Sequence, residues 1–328
     1  MKIAVVGATG LVGREMLTVL AERGFDKEEI IAAASPKSVG KKIEFADRQL
    51  TVVSVKEAIA AIPEYAIFSA GASASHQYAP LFAEKGTVVI DNSSAWRKDV
   101  DKPLVVPEIN IDAVKPTDRI IANPNCSTIQ MVLALSALER EYGIRRIVVS
   151  TYQSITGTGI KAVRQLEAEE RGDKPAEMAY PYEIHRNLFP HGGDWLDTGY
   201  TTEEQKLVDE TRKIFADPNI MVSATVARVP VVGGHSESVN VELKKDYDMD
   251  EVRRLIATTP GVVLYDDPSR NLYPMPITAH HRDEVFVGRL RCDPSQPRTL
   301  NLWVVADNIR KGAATNAIQI MQALIERI

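Results

Sequence analysis

Residues 2–20 read KIAVVGATGLVGREMLTVL, and this stretch decides the fold of the first part of the chain. A short β-branched run ends at Val6, and apolar residues at helical spacing follow from Leu11. Between strand and helix, Gly7, Gly10 and Gly13 allow a tight turn that brings backbone N–H groups close to a pyrophosphate at the positive helix end. The GxxGxxG spacing alone also fits a structural turn, but its strand–turn–helix context favours dinucleotide binding.

The rest of the chain predicts two domains of different architecture. Early apolar runs (IIAAAS, YAIFSAG, GTVVIDNSS) alternate with helical stretches, which is typical of a parallel sheet with crossover helices. Later runs are longer (RRIVVSTYQSI, IMVSATVARVPVV, ESVNVELKK, EVFVGRLRC, TLNLWVVAD) and predict an α+β domain on a mixed or antiparallel sheet. We therefore predict an α/β chain with a Rossmann-like domain over residues 1–126, completed by a C-terminal helix at 308–328, and a second domain over 127–307.

Composition excludes several classes of protein. The 328 residues are 45% hydrophobic and 25% charged, as in ordinary globular proteins, and the net charge of -5 gives no reason to expect nucleic acid or an anionic membrane as a partner. Two cysteines cannot form a disulfide framework, and no apolar run approaches a membrane span of about 20 residues. We expect a cytoplasmic protein.

The segment after the second strand bears on the choice of cofactor. An NAD site usually has an acid there that accepts hydrogen bonds from the ribose hydroxyls. Here the segment reads AAASPKSVGKK, with Ser35, Lys37 and Ser38 in place of an acid. These side chains suit a 2′-phosphate, although a solvated basic loop would have the same composition. The segment favours NADP over NAD.

Cys126 lies in IIANPNCSTIQMVLALSALERE, between an Asn-Pro-Asn turn and a long apolar helix. A thiol at a helix N-terminus has its pKa lowered from about 8.5 by the helix dipole and the free N–H groups. A buried structural cysteine is the alternative for this segment. Cys292 ends a strand without such a setting and is predicted to be structural.

A reactive thiol beside a nicotinamide suggests acyl chemistry through a thioester, which needs an acid/base group and an anchor for the substrate. The segment RVPVVGGHSESVNVEL offers Arg228 and His235, the histidine following a Gly-Gly turn before a strand. The other histidines, including the His280–His281 pair, are assigned to loops or helix starts. Their spacing along the chain is not that of metal ligands, so we predict no metal site.

The sequence resembles the aspartate-semialdehyde dehydrogenase family over essentially its whole length. The motifs that carry the resemblance are, in order along the chain, GATGLVG, SPKSVGK, DNSSAWR, VPEIN, NPNCSTIQ, STYQSITGTG, RVPVVGGHSES and NIRKGAATNA. The resemblance implies NADP-dependent interconversion of L-aspartyl 4-phosphate and L-aspartate 4-semialdehyde, in the pathway to lysine, threonine, isoleucine, methionine and diaminopimelate. It also implies that residues 127–307 form a catalytic and dimerisation domain in a homodimer, with small-molecule substrates including phosphate.

The resemblance also assigns roles to individual residues. Cys126 resembles the nucleophile, His235 the acid/base and Gln153 the residue that orients the substrate. Arg228 resembles the anchor of the substrate carboxylate, and Arg97 the phosphate-binding arginine. Glu203 and Lys206 resemble a substrate-binding Glu-x-x-Lys pair, although the adjacent Glu204 leaves that register open. The family's cofactor site implies contacts from Gly7, Thr9, Gly10, Leu11, Val12, Gly13, Ser35, Lys37, Ser38, Gly157 and Asn308.

Two alternatives remain at this point. N-acetyl-γ-glutamyl-phosphate reductase shares the fold, the cysteine and a similar terminal KGAA helix, but its cysteine segment differs from NPNCSTIQ. A catalytically silent NADP-binding paralogue would be expected to lack the cysteine or the histidine, and Cys126 and His235 are both present.

Overall fold

The structure is a computed structural model and describes residues 1–327. It divides into two compact units: unit 1 comprises Met1–Asn125 with Ala313–Ile328, and unit 2 comprises Cys126–Gly312. Strands and helices are numbered along the chain.

The strands are β1 (Lys2–Val6), β2 (Glu29–Ala34), β3 (Lys42–Phe45), β4 (Arg48–Thr51), β5 (Val53–Ser54), β6 (Tyr65–Phe68), β7 (Val88–Asp91), β8 (Ile120–Ala122), β9 (Ile144–Ser154), β10 (Met221–Val229), β11 (His235–Leu243), β12 (Val262–Leu264), β13 (Val285–Cys292) and β14 (Thr299–Ala306). The helices are α1 (Leu11–Leu20), α2 (Val55–Ala60), α3 (Ala72–Glu84), α4 (Pro107–Asn110), α5 (Cys126–Tyr142), α6 (Ile160–Glu170), α7 (Thr202–Ile214), α8 (Met249–Ala257), α9 (Pro276–Ala279) and α10 (Thr315–Ile325).

Unit 1 is built on a six-stranded sheet in the order β5-β2-β1-β6-β7-β8. Every pair in it is parallel, which confirms the predicted parallel sheet. The strand order reverses direction between β1 and β6. In open α/β sheets, ligands bind beyond the carboxyl ends of the strands at such a switch point. The glycine turn that follows β1 lies at this position.

The C-terminal segment is not one continuous helix. A π-helical turn at Arg310–Ala314 precedes α10, and the boundary between the two units falls inside that turn. Within unit 1, Ala317, Ile318 and Met321 of α10 are fully buried in the hydrophobic core that contains residues of β1 and α1. The apolar face that the sequence places on this helix is therefore part of the unit 1 core.

Unit 2 is built on a second six-stranded sheet in the order β10-β9-β11-β14-β13-β12. The outer pairs β10–β9 and β12–β13 are parallel and the central pairs are antiparallel, so the predicted mixed sheet is confirmed. Helix α5 is buried along most of its length and contacts four strands of this sheet together with α7 and α8. An apolar surface around the whole helix is typical of a helix inside a core. Among the described residues, no helix is both long and apolar enough to cross a membrane.

Candidate active site

The glycine turn of unit 1 leaves no space for side chains at two positions. A Cβ placed on Gly13 would lie 2.1 Å from the Gly7 carbonyl oxygen, and one on Gly7 would lie 2.2 Å from the Ser69 carbonyl oxygen. Gly7 also has a φ of +91°, which L side chains rarely adopt. The first turn of α1 therefore packs directly on the end of β1. Such a cradle of backbone N–H groups fits a pyrophosphate.

A cavity of about 390 Å³ lies beside this turn, within unit 1. Its lining comes from the ends of β1, β2 and β5, from the segment after β6, and from α2 and α3, and includes Gly7, Ser35, Lys56, Ala70 and Tyr78. Lys56, Ala70 and Tyr78 were not among the predicted site residues. The parallel sheet brings them to the same edge as the glycine turn, which motif reading along the chain could not show.

The residues predicted to contact a 2′-phosphate form a short 3-10 turn after β2. Ser35 and Lys37 are exposed, whereas Ser38 is buried. The Thr9 hydroxyl donates to the Ser38 hydroxyl over 3.5 Å and connects this turn to the glycine turn. Gly10 caps α1, and Leu11 and Val12 begin it half-buried. The predicted cofactor residues of unit 1 therefore lie in two turns that contact each other through Thr9 and Ser38.

Arg97 is buried in unit 1 and held by backbone carbonyls. Its Nε donates to the Asn123 carbonyl and its Nη2 to the Asn92 carbonyl, both over 2.9 Å. Asn92 follows β7 and Asn123 follows β8. The guanidinium is thus fixed at the carboxyl edge of the parallel sheet and is not a mobile surface charge.

In unit 2, Cys126 is the first residue of α5 and is half-buried. A Cβ on Gly312 would lie 2.7 Å from the Cys126 Cβ, so the backbone of the π-helical turn packs closely against this residue. Cys292 is exposed at the end of β13. Its side chain therefore lies at the surface and is not part of a hydrophobic core, and its lack of a catalytic role stays a prediction.

The first turns of α5 are connected by hydrogen bonds to β9 and β11, which carry two of the other predicted residues. Gln153 on β9 donates from Nε2 to the Ser127 hydroxyl over 2.9 Å. Gln130 donates from Nε2 to the His235 carbonyl over 3.3 Å. In the sheet register, Arg228 on β10 lies beside Gln153. All of these residues are buried.

Arg228, His235 and Gly157 contact one another at the end of β9. Nη1 of Arg228 donates to the Ser154 carbonyl over 3.0 Å, and the Ser154 N–H donates to Nδ1 of His235, also over 3.0 Å. A Cβ on Gly157 would lie 2.8 Å from Nη1 of Arg228 and 3.3 Å from Nε2 of His235. Glycine at this position lets the backbone approach both side chains.

The surroundings of His235 determine its protonation state. Burial lowers its pKa to about 3, the charge of Arg228 acts in the same direction, and the charge of Glu203 opposes them. The imidazole is therefore neutral at any pH well above that value. Because Nδ1 accepts the Ser154 N–H, the proton of the neutral ring is on Nε2. Nε2 of His235 and Oε1 of Gln153 are buried without a hydrogen-bond partner among residues 1–327.

The structure distinguishes Glu203 from its neighbour Glu204. Oε2 of Glu204 accepts from the Thr201 N–H over 2.7 Å as part of a capping box, and its Oε1 accepts from the Val226 N–H over 3.0 Å. Glu203 instead forms an ion pair with Lys206 over 2.7 Å. Glu204 therefore stabilises the start of α7, and the pair three residues apart is Glu203–Lys206.

Gly157 and Asn308, the last two residues predicted to contact the cofactor, belong to unit 2. The Asn308 side chain accepts from the Thr156 hydroxyl over 3.0 Å, which holds Asn308 beside the turn that contains Gly157. The two residues are thus brought together within unit 2, and their contact with a cofactor stays a prediction.

One buried acid was not among the predicted site residues. Glu237 is on β11, two positions after His235, so both side chains lie on the same face of the sheet. It is fully buried, and neither carboxyl oxygen has a hydrogen-bond partner of ordinary geometry among residues 1–327. Burial raises its pKa well above the usual value, and Gln130 offsets this only in part. The alternation of the strand could have indicated a buried acid here.

We expect Glu237→Gln to stabilise the protein increasingly as pH rises. With a raised pKa, folded Glu237 stays protonated where the unfolded chain ionises, so stability is lost as pH rises above the unfolded pKa of about 4.5. Glutamine removes that loss of stability. The loss is about 1.4 kcal/mol when the pKa in the folded protein exceeds that in the unfolded chain by one. Urea unfolding from about pH 4 to pH 8 measures the effect. The exposed Glu44→Gln is the control, and parallel pH profiles for both variants would contradict the prediction.

Two family models match this chain. Residues 2–117 match the NAD binding domain of semialdehyde dehydrogenase, and residues 135–311 match its dimerisation domain. The aspartate-semialdehyde dehydrogenase of Aquifex aeolicus is 50% identical over 99% of this chain and 98% of its own length. That of Legionella pneumophila is 49% identical over 99% of this chain and 95% of its own. A crystal structure of aspartate semialdehyde dehydrogenase II from Vibrio cholerae, complexed with ASA, superposes with a TM-score of 0.95 at 43% identity, covering 99% and 98% of the two chains.

The matched domains define the class as an oxidoreductase with a nicotinamide-nucleotide-binding domain and a dimerisation domain. The chain belongs to the aspartate-semialdehyde dehydrogenase family. Its membership confirms the resemblance stated from the motifs and makes the chain an enzyme of amino-acid biosynthesis. The dimerisation domain indicates a homodimer.

Proposed function

We propose that this enzyme interconverts L-aspartyl 4-phosphate and L-aspartate 4-semialdehyde with NADP, through a thioester on Cys126. The observation that carries the proposal is the convergence of unpartnered polar atoms in unit 2. His235 Nε2 and Gln153 Oε1 are buried without partners among the described residues, and Gln153 is hydrogen-bonded to Ser127, next to Cys126. Buried polar groups are almost always hydrogen-bonded, so these atoms are suited to a substrate.

Cys126 would act as the nucleophile. The positive end of α5 stabilises a thiolate, which adds to the acyl carbon and expels phosphate to leave a thioester. When bound, the nicotinamide supplies hydride to the acyl carbon in this direction and accepts it in the other. Collapse of the resulting thiohemiacetal returns the thiolate to Cys126 and releases the aldehyde.

His235 would act as the acid/base group at the substrate oxygen. Its neutral ring carries the proton on Nε2, on the side that faces Gly157 and Arg228. In this state it donates a hydrogen bond to a carbonyl oxygen that becomes negative as the tetrahedral centre forms. Its lowered pKa keeps this donor form available throughout the neutral range.

Arg228 would bind the α-carboxylate of the substrate, and Glu203 would bind its amine. Lys206 and Arg97 would bind phosphate. Arg228 is buried beside His235, where a planar guanidinium suits a carboxylate. Glu203 is close enough to His235 to influence its pKa, and it pairs with Lys206. Arg97 is held rigidly by two backbone carbonyls in unit 1.

The two arginines provide a test of this division of roles. We expect Arg97→Leu to raise the KM for phosphate chiefly, and Arg228→Leu to raise that for the semialdehyde chiefly. Loss of a charge-assisted bond costs about 1.5–3 kcal/mol, or roughly 10- to 100-fold in kcat/KM. Arg228→Lys should rescue only in part, because an ammonium cannot make the planar two-bond contact. Equal effects of both leucine variants on both substrates would instead indicate one shared anion site.

We propose NADP as the preferred cofactor, with Ser35, Lys37 and Ser38 around the 2′-phosphate and the adenosine in the 390 Å³ cavity of unit 1. The cavity is lined by Ser35 itself and lies beside the glycine turn. Lys37 is exposed, and its ammonium can turn toward a phosphate at this edge of the sheet.

We expect Lys37→Glu to raise the KM for NADP more than that for NAD, because the new carboxylate repels the 2′-phosphate that only NADP carries. Steady-state kinetics with both cofactors measure the difference. The control is Lys115→Glu, which changes the same charge beside a separate cavity lined by Met1 and Glu64. A similar rise for both cofactors with Lys37→Glu would exclude a direct contact with the 2′-phosphate.

The reaction itself is tested by the absorbance of the reduced cofactor. With aspartate semialdehyde, NADP and phosphate, reduction should depend on all three. N-acetylglutamate semialdehyde is the comparison substrate, and a clear preference for it would support an N-acetyl-γ-glutamyl-phosphate reductase instead. Cofactor binding without turnover of either aldehyde would indicate a silent paralogue.

We further propose that the enzyme acts in the cytoplasm, in the branch toward lysine, threonine, isoleucine, methionine and diaminopimelate.

A further inference from the structure

His280, His281 and Asp307 come together in unit 2, although Asp307 is distant from the other two in sequence. One nitrogen from each histidine and one carboxylate oxygen lie within 4.8 Å of one another. Nδ1 of His280 is 3.2 Å from Oδ2 of Asp307, and the two imidazoles stack with centroids 3.7 Å apart. This cluster is separate from the polar atoms assigned to the substrate.

We propose that this cluster binds a divalent transition-metal ion of the Zn²⁺ class. Imidazole nitrogens favour Zn²⁺, Ni²⁺ and Co²⁺, whereas Mg²⁺ and Ca²⁺ prefer oxygen ligands alone. Neighbouring ligand atoms of a tetrahedral Zn²⁺ lie about 3.4 Å apart, given bonds of about 2.1 Å. The separation between His280 and Asp307 fits that geometry. Three protein ligands leave the fourth position for water.

The backbone around the cluster holds the Asp307 carboxylate in place before any ion binds, whereas the exposed, stacked imidazole of His281 has to turn to direct a ring nitrogen at the same ion. The Asp307 carboxylate is buried and accepts from the backbone N–H groups of His281, Ile309 and Arg310. His281 has a φ of +60°, in the left-handed region that costs a non-glycine residue free energy. This conformation presents His281 on the same side as His280. Hydrogen bonds from neighbouring groups that orient a ligand strengthen metal sites.

The site adjoins the segment that leads to His235. A Cβ on Gly233 would lie 2.0 Å from Nδ1 of His280, so the imidazole covers Gly233, two residues before His235. Asp307 immediately precedes Asn308, whose side chain bonds Thr156. A bound ion would therefore join α9 to the end of β14 and restrain the turn before β11. We expect it to raise the melting temperature, since it binds the folded state alone.

Zn²⁺ titration by calorimetry tests the site in the full-length protein. Cys126 and Cys292 can also bind Zn²⁺, so the background is the double variant Cys126→Ser, Cys292→Ser. This background should bind Zn²⁺, and Co²⁺ should give the absorption bands of a low-coordinate nitrogen–oxygen site. His281→Gly in the same background should weaken Zn²⁺ by more than about 100-fold, because loss of even an outer-shell partner costs about 10- to 100-fold.

Glycine is the suitable replacement because it adopts the φ of His281 without strain. His185→Gln is the matched control in the same unit, and it should leave the affinity unchanged. Without metal, His281→Gly should be folded and no less stable than the background, because glycine relieves the backbone strain at this position. Unchanged affinity in His281→Gly, or no binding in the thiol-free background, would overturn the proposal.

Discussion

Cys126→Ala is expected to abolish turnover while NADP binding is retained. The substitution removes the sulfur that would form the thioester, whereas the glycine turn lies elsewhere in the chain, in unit 1. Removal of a catalytic nucleophile typically costs about 10⁴-fold or more in kcat. Cys126→Ser should also be nearly inactive, because a serine hydroxyl is far less ionised at neutral pH. Steady-state assays and fluorescence titration with the reduced cofactor measure the two properties.

Cys292→Ser is the matched control, since Cys292 is the only other cysteine and is exposed. We expect this variant to keep its activity. Alkylation supports the same comparison: inactivation should follow modification of Cys126, and substrate should protect it. Inactivation that follows modification of Cys292 instead would contradict the assignment of the nucleophile.

The second large effect is expected from Gly13→Ala. The added Cβ would lie 2.1 Å from the Gly7 carbonyl oxygen and 2.9 Å from the Ala8 Cα, so α1 must move away from the end of β1. Backbone atoms cannot give way as a flexible side chain does. The shift would distort the cradle of N–H groups proposed to hold the pyrophosphate. We expect cofactor affinity to fall by at least about 100-fold, or about 2.7 kcal/mol, with a lower melting temperature.

Gly10→Ala tests whether crowding or merely the loss of a glycine is responsible. A Cβ on Gly10 would lie 3.4 Å from the same Gly7 oxygen, which is close to ordinary contact, and its φ of -77° suits any residue. This variant should bind the cofactor nearly as the natural protein does. Comparable losses in both variants would show that the close approach of Gly13 is not the cause.

Local patterns predicted the elements that form the two sheets. Strands β1, β2, β6 and β7 appear in the sequence as short apolar runs, and the glycine turn marks the start of α1. The order of the strands in unit 2 was not predictable, because β9 pairs with both β10 and β11 across long intervening segments. Such pairings depend on which faces can be buried together and on register, which local patterns leave open.

For the site residues too, features set by neighbouring residues were predictable, and contacts between distant segments were not. The helix start at Cys126 was readable because an Asn-Pro-Asn turn precedes an apolar run. The role of Glu204 as a capping residue could have been inferred from Thr201 three residues earlier, which is a capping-box spacing. The cluster of His280 and His281 with Asp307 could not have been inferred from local patterns, because β14 brings Asp307 there from a separate part of the chain. Spacing among histidines along the chain therefore could not reveal this cluster.

The central claim is that Cys126 carries a thioester, and a burst experiment without phosphate tests it most directly. Aspartate semialdehyde and NADP are mixed rapidly with the enzyme, and the reduced cofactor is followed by absorbance. We expect a burst stoichiometric with active sites, followed by slow turnover that phosphate accelerates, and an acyl group located by mass spectrometry on the peptide that contains Cys126. Absence of a burst, or an acyl group on another residue, would contradict the proposed mechanism.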